Sequence, residues 1–313
     1  MTVDILHEKV AKVYDQLATV IRGKEEIFRL LFIAIFAEGH ILMEDVPGVG
    51  KTTLAKALAK SINAEFNRIQ FTPDMLPADI SGTTVYSQKE GVFSFRKGPV
   101  FANLLLADEI NRASPRTQSA LLEAMNERQV SIDGETYPLP DPFLVIATEN
   151  PIEYYGTFPL PEAQLDRFAI RLSLGYPDEK AELALLLDRK HSDPLNTIEP
   201  VLTCPELRQI MDQVRQIGMD DSIASFALQI ITATRNAPEF ILGGSPRALL
   251  TLMRCAQAAA WLDRRDFVKP DDILQLIHPV LAHRMVLSLD SKHAGIKAEN
   301  VLTELLKKIK VPV

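Results

Sequence analysis

The run Asp45-Val46-Pro47-Gly48-Val49-Gly50-Lys51-Thr52 holds the densest chemistry in the chain. The pattern G-x-x-x-x-G-K-[ST] makes a loop whose backbone N–H groups surround phosphate oxygens. Gly50, Lys51 and Thr52 match it, and Asp45 stands where the first glycine belongs. Gly48 and Gly50 let the backbone approach an anion closely. The loop opens into a helix whose first N–H groups face that anion. Lys51 is placed to reach the β- and γ-phosphates, and the Thr52 hydroxyl to bind Mg²⁺. Pro47, Val49 and Thr53 complete the stretch expected to line a nucleotide. The alternative is a glycine turn that precedes a helix and binds nothing.

Other residues bear on that choice. Leu104-Leu105-Leu106-Ala107 runs into Asp108 and Glu109. An aspartate at the end of a buried strand beside the phosphate loop suits a Mg²⁺ shell. The adjacent glutamate suits deprotonation of an attacking water. Asn150 follows another apolar run, Phe143 to Thr148, where its amide could hold that water or the γ-phosphate. Taken alone, Asn150 reads as a turn residue before Pro151 and Arg167 as half of a surface ion pair. Arg247 follows Gly243-Gly244-Ser245-Pro246 in the first turn of a helix. A cation is unfavourable at that end of the helix dipole, and a nearby phosphate would give it a reason.

These residues need elements to hold them. His40–Glu44, Leu104–Ala107, Phe143–Thr148 and Ala169–Leu172 read as short apolar strands, with Phe66–Phe71 a weaker fifth. Near-continuous apolar strands separated by helices predict a parallel sheet covered on both faces. Helices are expected over Lys24–Ala37, Thr52–Ile62 and Pro115–Met125, the last capped by Ser114. Two hairpins interrupt the alternation. One spans Val85–Lys97 with its turn near Glu90-Gly91, and the other spans Gln129–Leu139 with its turn at Asp133-Gly134.

The later part reads as helices only. Asp220–Arg235 fits one, and Ala298–Ile309 reads as the last. Thr203-Cys204-Pro205-Glu206 makes a capping box, Ser245-Pro246 starts a helix to about Trp261, and Pro270-Asp271-Asp272 starts another. The polar link from His191 to Asn196 marks the boundary, after which the charge also changes. Residues 1–194 carry 20 basic and 28 acidic side chains, and residues 195–313 carry 14 and 13.

Composition narrows the field. The 313 residues suit about two domains. The net charge of −7 argues against a surface built to coat nucleic acid. The longest apolar run, Leu30–Ala37, falls well short of the ~20 residues that cross a bilayer. Met1–Val10, with Asp4 and Glu8, does not read as a secretory leader. Two distant cysteines, Cys204 and Cys255, suggest buried small side chains in a reducing, cytoplasmic setting.

Taken in order, the motifs resemble those of AAA+ ATPases, and most closely the MoxR family. The likeness rests on Asp108-Glu109-Ile110-Asn111-Arg112-Ala113, Ala147-Thr148-Glu149-Asn150-Pro151, Leu160 through Phe168, and Ser245-Pro246-Arg247-Ala248, and runs from about Val20 to Ser288. It implies an α/β P-loop NTPase core, an αβα sandwich with a five-stranded parallel sheet, over residues 1–193, and an all-α lid over 194–313. The two hairpins would be the helix-2 and pre-sensor-1 inserts.

Residue by residue, the resemblance implies ATP and Mg²⁺ at Lys51, Thr52 and Asp108, with Glu109 as catalytic base. Asn150 matches sensor 1, Arg167 an arginine finger acting on a neighbour's nucleotide, and Arg247 sensor 2, in cis or in trans. Val20, Ile21 and Gly23 match the segment flanking adenine, and Arg112 is a candidate for a second interface arginine. Asp45 is expected to tune phosphate affinity, and Glu149 stands where a glutamine is usual. The implied protein is a ring, a hexamer, that remodels or matures protein or metal-cofactor complexes with a von Willebrand A domain partner. A metal-chelatase motor subunit and a nucleic-acid motor are the alternatives, the latter disfavoured by the acidic balance. A scaffold without turnover fits poorly with Lys51, Glu109, Asn150 and Arg167 all in place.

Overall fold

A computed structural model describes residues 3–89, 91–151, 156–188 and 193–312, with only the backbone over 185–188. Glu90 of the first expected turn, and His191 and Ser192 of the expected link, lie outside the described residues. In chain order the elements are α1 (Val3–Val20), α2 (Glu25–Phe36), β1 (His40–Glu44), α3 (Lys51–Ser61), β2 (Phe66–Gln70), α4 (Pro77–Ser81), β3 (Gly82–Ser87), β4 (Val92–Lys97) and β5 (Leu104–Asp108). Then come α5 (Pro115–Glu127), β6 (Gln129–Ile132), β7 (Glu135–Pro138), β8 (Leu144–Glu149), α6 (Glu162–Leu165), β9 (Phe168–Leu172) and α7 (Glu179–Asp188). The chain ends with α8 (Cys204–Val214), α9 (Asp221–Asn236), β10 (Phe240–Leu242), α10 (Pro246–Leu262), α11 (Pro270–Leu281), β11 (Val286–Leu287), α12 (Leu289–His293) and α13 (Ala298–Leu306).

Five strands form one parallel sheet in the order β2-β5-β8-β1-β9. β5 is buried along its whole length and β8 up to its last residue, as their unbroken apolar runs require. Both expected hairpins form, β3 with β4 and β6 with β7. Asp133 and Gly134 both take positive φ, 52° and 84°, which matches the twist of a tight hairpin.

Several expected helix starts carry their caps. The Ser114 hydroxyl accepts from the Thr117 N–H, and Asp220 accepts from the Ser222 N–H. Thr203 and Glu206 exchange the two bonds of a capping box. Helix α1 was not expected, although Leu6, Val10, Val13, Leu17 and Val20 recur on one face and are all buried. The helical module also holds a small antiparallel ribbon, β10 with β11, too short to show as a period-two pattern.

The chain forms two compact units, each assembled from separate segments. The first comprises Met1–Phe28, Leu42–Leu160 and Ser173–Arg208. The second comprises Arg29–Ile41, Pro161–Leu172 and Gln209–Val313. Inside the second, Phe36 meets Trp261 edge-on at 5.3 Å, and the Trp261 indole donates to Gln213 Oε1 at 3.0 Å. Cys255 is fully buried there, its thiol pushed up to about 12 by desolvation, as befits a packing residue.

Candidate active site

The loop from Asp45 to Gly50 leaves β1 and enters α3 through two glycines in the left-handed region, Gly48 at φ 86° and Gly50 at φ 102°. A Cβ on Gly50 would sit 2.9 Å from Ile21 Cδ1, while one on Gly48 would meet nothing within 4 Å. Gly50 is thus required by its φ, while the Ile21 methyl, at the end of a flexible side chain, would have to shift. No side chain caps the start of α3, which leaves its first N–H groups for another acceptor. Ile21 therefore lies against the loop. Val20 beside it is buried, and Gly23 turns the chain at φ 69°.

Lys51 closes the loop on itself, its Nζ donating to the Asp45 carbonyl at 2.9 Å. Burial pushes the Lys51 ammonium below its ordinary range, while Asp45, Asp108 and Glu109 pull the other way. The acids at the end of β5 thus act on the phosphate-loop lysine. Asp108 is buried and engaged on both oxygens. The Thr148 hydroxyl donates to Oδ1 at 2.6 Å, and Arg68 donates to Oδ2 from Nε at 3.1 Å and from Nη2 at 2.7 Å.

Glu109 is held differently. Its backbone is left-handed, φ 57° and ψ 50°, an uncommon conformation for a side-chain-bearing residue. Its N–H donates to Thr148 Oγ1 at 2.9 Å. Gln70 Nε2 and Arg112 Nη1 donate to its Oε2 at 2.8 and 3.1 Å. The Thr148 hydroxyl therefore bridges the two acids, donating to one and accepting from the other. Strand order explains the meeting: β2 carries Arg68 and Gln70, β5 carries Asp108, and β8 carries Thr148 with Asn150 next in the chain. Asn150 is buried at that strand end.

Asp45 and Arg112 both find partners inside the first unit. The Asp45 carboxylate is turned to the chain after β9, accepting from Ser173 Oγ at 2.9 Å, the Leu174 N–H at 2.5 Å and the Gly175 N–H at 2.9 Å. Arg112 pairs with Glu109 inside the first unit. Arg68, Gln70 and Thr148 were missed. Arg68 and Gln70 are single polar residues of a strand and carry no motif, Thr148 enters the sequence reading only as a member of the run Ala147–Pro151, and only the lateral strand order brings the three to the acids. Arg167 and Arg247 belong to the second unit. Arg167 is half-buried in the turn between α6 and β9, and Arg247 is exposed in the first turn of α10.

The chain is similar to several known proteins. The model of the ATPase family associated with various cellular activities (AAA) matches residues 40–170, and that of the AAA lid domain matches residues 232–305. YeaC of Bacillus subtilis, a protein of uncharacterised function, is 49% identical over 308 residues, spanning 98% of this chain and 96% of its own. The chaperone MoxR1 of Mycobacterium tuberculosis is 38% identical, covering 94% of this chain and 80% of its own. A crystal structure from Cytophaga hutchinsonii, of a protein assigned as an ATPase, superposes with a TM-score of 0.91 at 37% identity and covers 98% of this chain and 96% of that one.

Proposed function

The chain belongs to the MoxR family of AAA+ ATPases, and from that premise we propose that it hydrolyses ATP with Mg²⁺ at the loop between β1 and α3. The observation that carries this reading is the acid pair Asp108 and Glu109, bridged by Thr148 and acting on Lys51. The residues suit the ligands. Two left-handed glycines and an uncapped helix start make an anion cradle. Thr52 and Asp108 supply hard oxygen donors of the kind Mg²⁺ takes beside phosphates. Among the described residues no group of three His, Cys, Asp or Glu could hold a metal, so the cation would rely on phosphate oxygens for the rest of its shell.

Thr52 and Asp108 would hold Mg²⁺, which when bound would supply neutralisation of the charge that develops on the phosphates. Lys51 holds the β- and γ-phosphates, Ile21 and Val20 flank the base, and Asn150 orients the attacking water. Glu109 takes the proton from that water as its oxygen bonds to the γ-phosphorus and the bond to the bridging oxygen breaks. Glu109 must first leave Gln70 and Arg112, which hold its carboxylate in this structure. Arg167 and Arg247 add charge at the transition state. In a ring, Arg167 would reach the neighbour's nucleotide, so turnover would depend on assembly into a hexamer.

AAA+ proteins generally oligomerise, and the family's link to partners with a von Willebrand A domain supports a remodelling role. The decisive measurement is ATP turnover by Glu109→Gln. We expect a fall of at least 10²-fold with nucleotide affinity retained. Unchanged turnover would remove Glu109 from its role. The same variant, loaded with ATP and used as bait, should retain a von Willebrand A domain protein. Retention of DNA instead would favour the nucleic-acid motor.

A further inference from the structure

The second unit contains a cation that none of the motifs includes. Arg284, in the 3₁₀ turn Ala282–Arg284 after α11, is 4% exposed. Its Nη2 donates to the Phe168 carbonyl at 2.6 Å, and its Nη1 lies 3.5 Å from Asp166 Oδ1. Asp166 and Phe168 are the two neighbours of Arg167. His283 supports the same point, its Nε2 3.0 Å from the Phe168 carbonyl. Asp166 continues the network in the other direction. Both its oxygens accept from the Ser245 hydroxyl at 3.0 Å. Ser245 Oγ in turn accepts from the Ala248 N–H at 3.0 Å, capping the helix that carries Arg247. Asp166, Ser245 and Arg284 line a cavity of about 510 Å³ with Arg235 and Gly244.

A buried guanidinium is costly unless it is paired, and a hydrophobic residue of like volume often fills such a place as well. Packing alone therefore does not account for Arg284. What it does, by position, is grip the chain on both sides of one residue. Through Asp166 and Ser245 it also ties that residue's turn to the first turn of α10. A finger that misses its phosphate by about 1 Å loses much of its effect. We infer that Arg284, acting through Asp166 and the Phe168 carbonyl, is a positioning residue that presets the turn bearing Arg167 and couples it to the start of the Arg247 helix. This rests on the reading of Arg167 as the arginine finger.

The test is a double-mutant cycle on the full chain, read by single-turnover and steady-state ATP hydrolysis, binding of a fluorescent ATP analogue, thermal melting and sedimentation. Arg167→Ala is expected to lose about 10³-fold in kcat with nucleotide affinity kept. Arg284→Met is expected to lose at least tenfold in kcat, with KM within about twofold and sedimentation unchanged. In the Arg167→Ala background Arg284→Met should have no further effect, because it acts through the residue already removed. Should Arg284→Met fail to fold, Asp166→Asn, which keeps an acceptor for Ser245 but removes the charge facing Arg284, is read in the same cycle and should lose about three- to tenfold. Full kcat in these variants, or losses that multiply in the double variants, would overturn the positioning role. Loss of turnover in Arg167→Ala alone would leave the finger standing without it. Normal turnover in Arg167→Ala would bring down the finger, and the positioning role with it.

Discussion

A carboxylate beside a phosphate-binding loop repels the anion unless its charge is held elsewhere. Asp45 has three donors from the segment Ser173–Gly175, which compensate its charge, although that charge still acts on Lys51. Asp45→Asn would turn an amide toward backbone N–H groups and leave at least one unsatisfied. We expect this to cost about 1–3 kcal/mol in urea unfolding, with ATP affinity changed by less than about threefold. A large gain in affinity at unchanged stability would contradict it. Gly50 predicts the opposite split. Gly50→Ala must adopt φ 102° and displace Ile21 Cδ1, so binding in isothermal titration should be lost while the fold persists. Both roles differ in how far they could be read from residue types. The glycine and lysine of the loop announce themselves by spacing. The partners of Asp45 stand about 130 residues away and share no motif with it.

At the scale of elements, four of the main strands were legible as apolar runs, β2 more weakly, and the starts of α5, α8, α10 and α11 from their caps or prolines. What was not legible was lateral order. Gln70 reaches Glu109, and Arg68 reaches Asp108, only because β2 is the neighbour of β5. Hairpin pairing was legible from Asp133-Gly134, whereas contact between the two hairpins was not. Phe95 stacks on Tyr137 at 4.2 Å, and the Thr84 hydroxyl donates to Asp133 Oδ2 at 2.6 Å. Neither ribbon alone is long enough for independent stability, since an isolated two-stranded hairpin is marginal in water. Each should therefore lean on the other. Tyr137→Ala is expected to raise amide exchange in β3 and β4 as well as in β6 and β7, with the amides of α3 unaffected. Faster exchange confined to β6 and β7 would show that the hairpins are independent.

Across the whole molecule the charge of −7 coexists with a few cations placed singly where a polyanion is to be bound or where the chain must be held. Arg284 is one of these, and it keeps its charge: burial lowers it to about 10, against the pull of Asp166. His283 beside it is the reverse case. Burial holds its imidazole well below the ordinary range, Arg284 and Arg171 push the same way, and the Phe168 and Pro279 carbonyls only partly oppose them. Its folded pKa is therefore depressed below the unfolded value of about 6.5, so the neutral ring contributes stability that is fully present above that pH. Acidification removes it, because the unfolded chain takes up a proton that the folded chain refuses. Between pH 7.5 and 5.5 this one group should lower stability by on the order of 1 kcal/mol. His283→Gln, whose amide can still donate to Phe168, should show that much less acid sensitivity in urea unfolding at the two pH values. Equal sensitivity in both proteins would mean that the ring titrates in the folded state. A neutral His283 also adds no further cation beside Arg284, so turnover between pH 6.5 and 8 should follow the same profile in wild type and in His283→Gln.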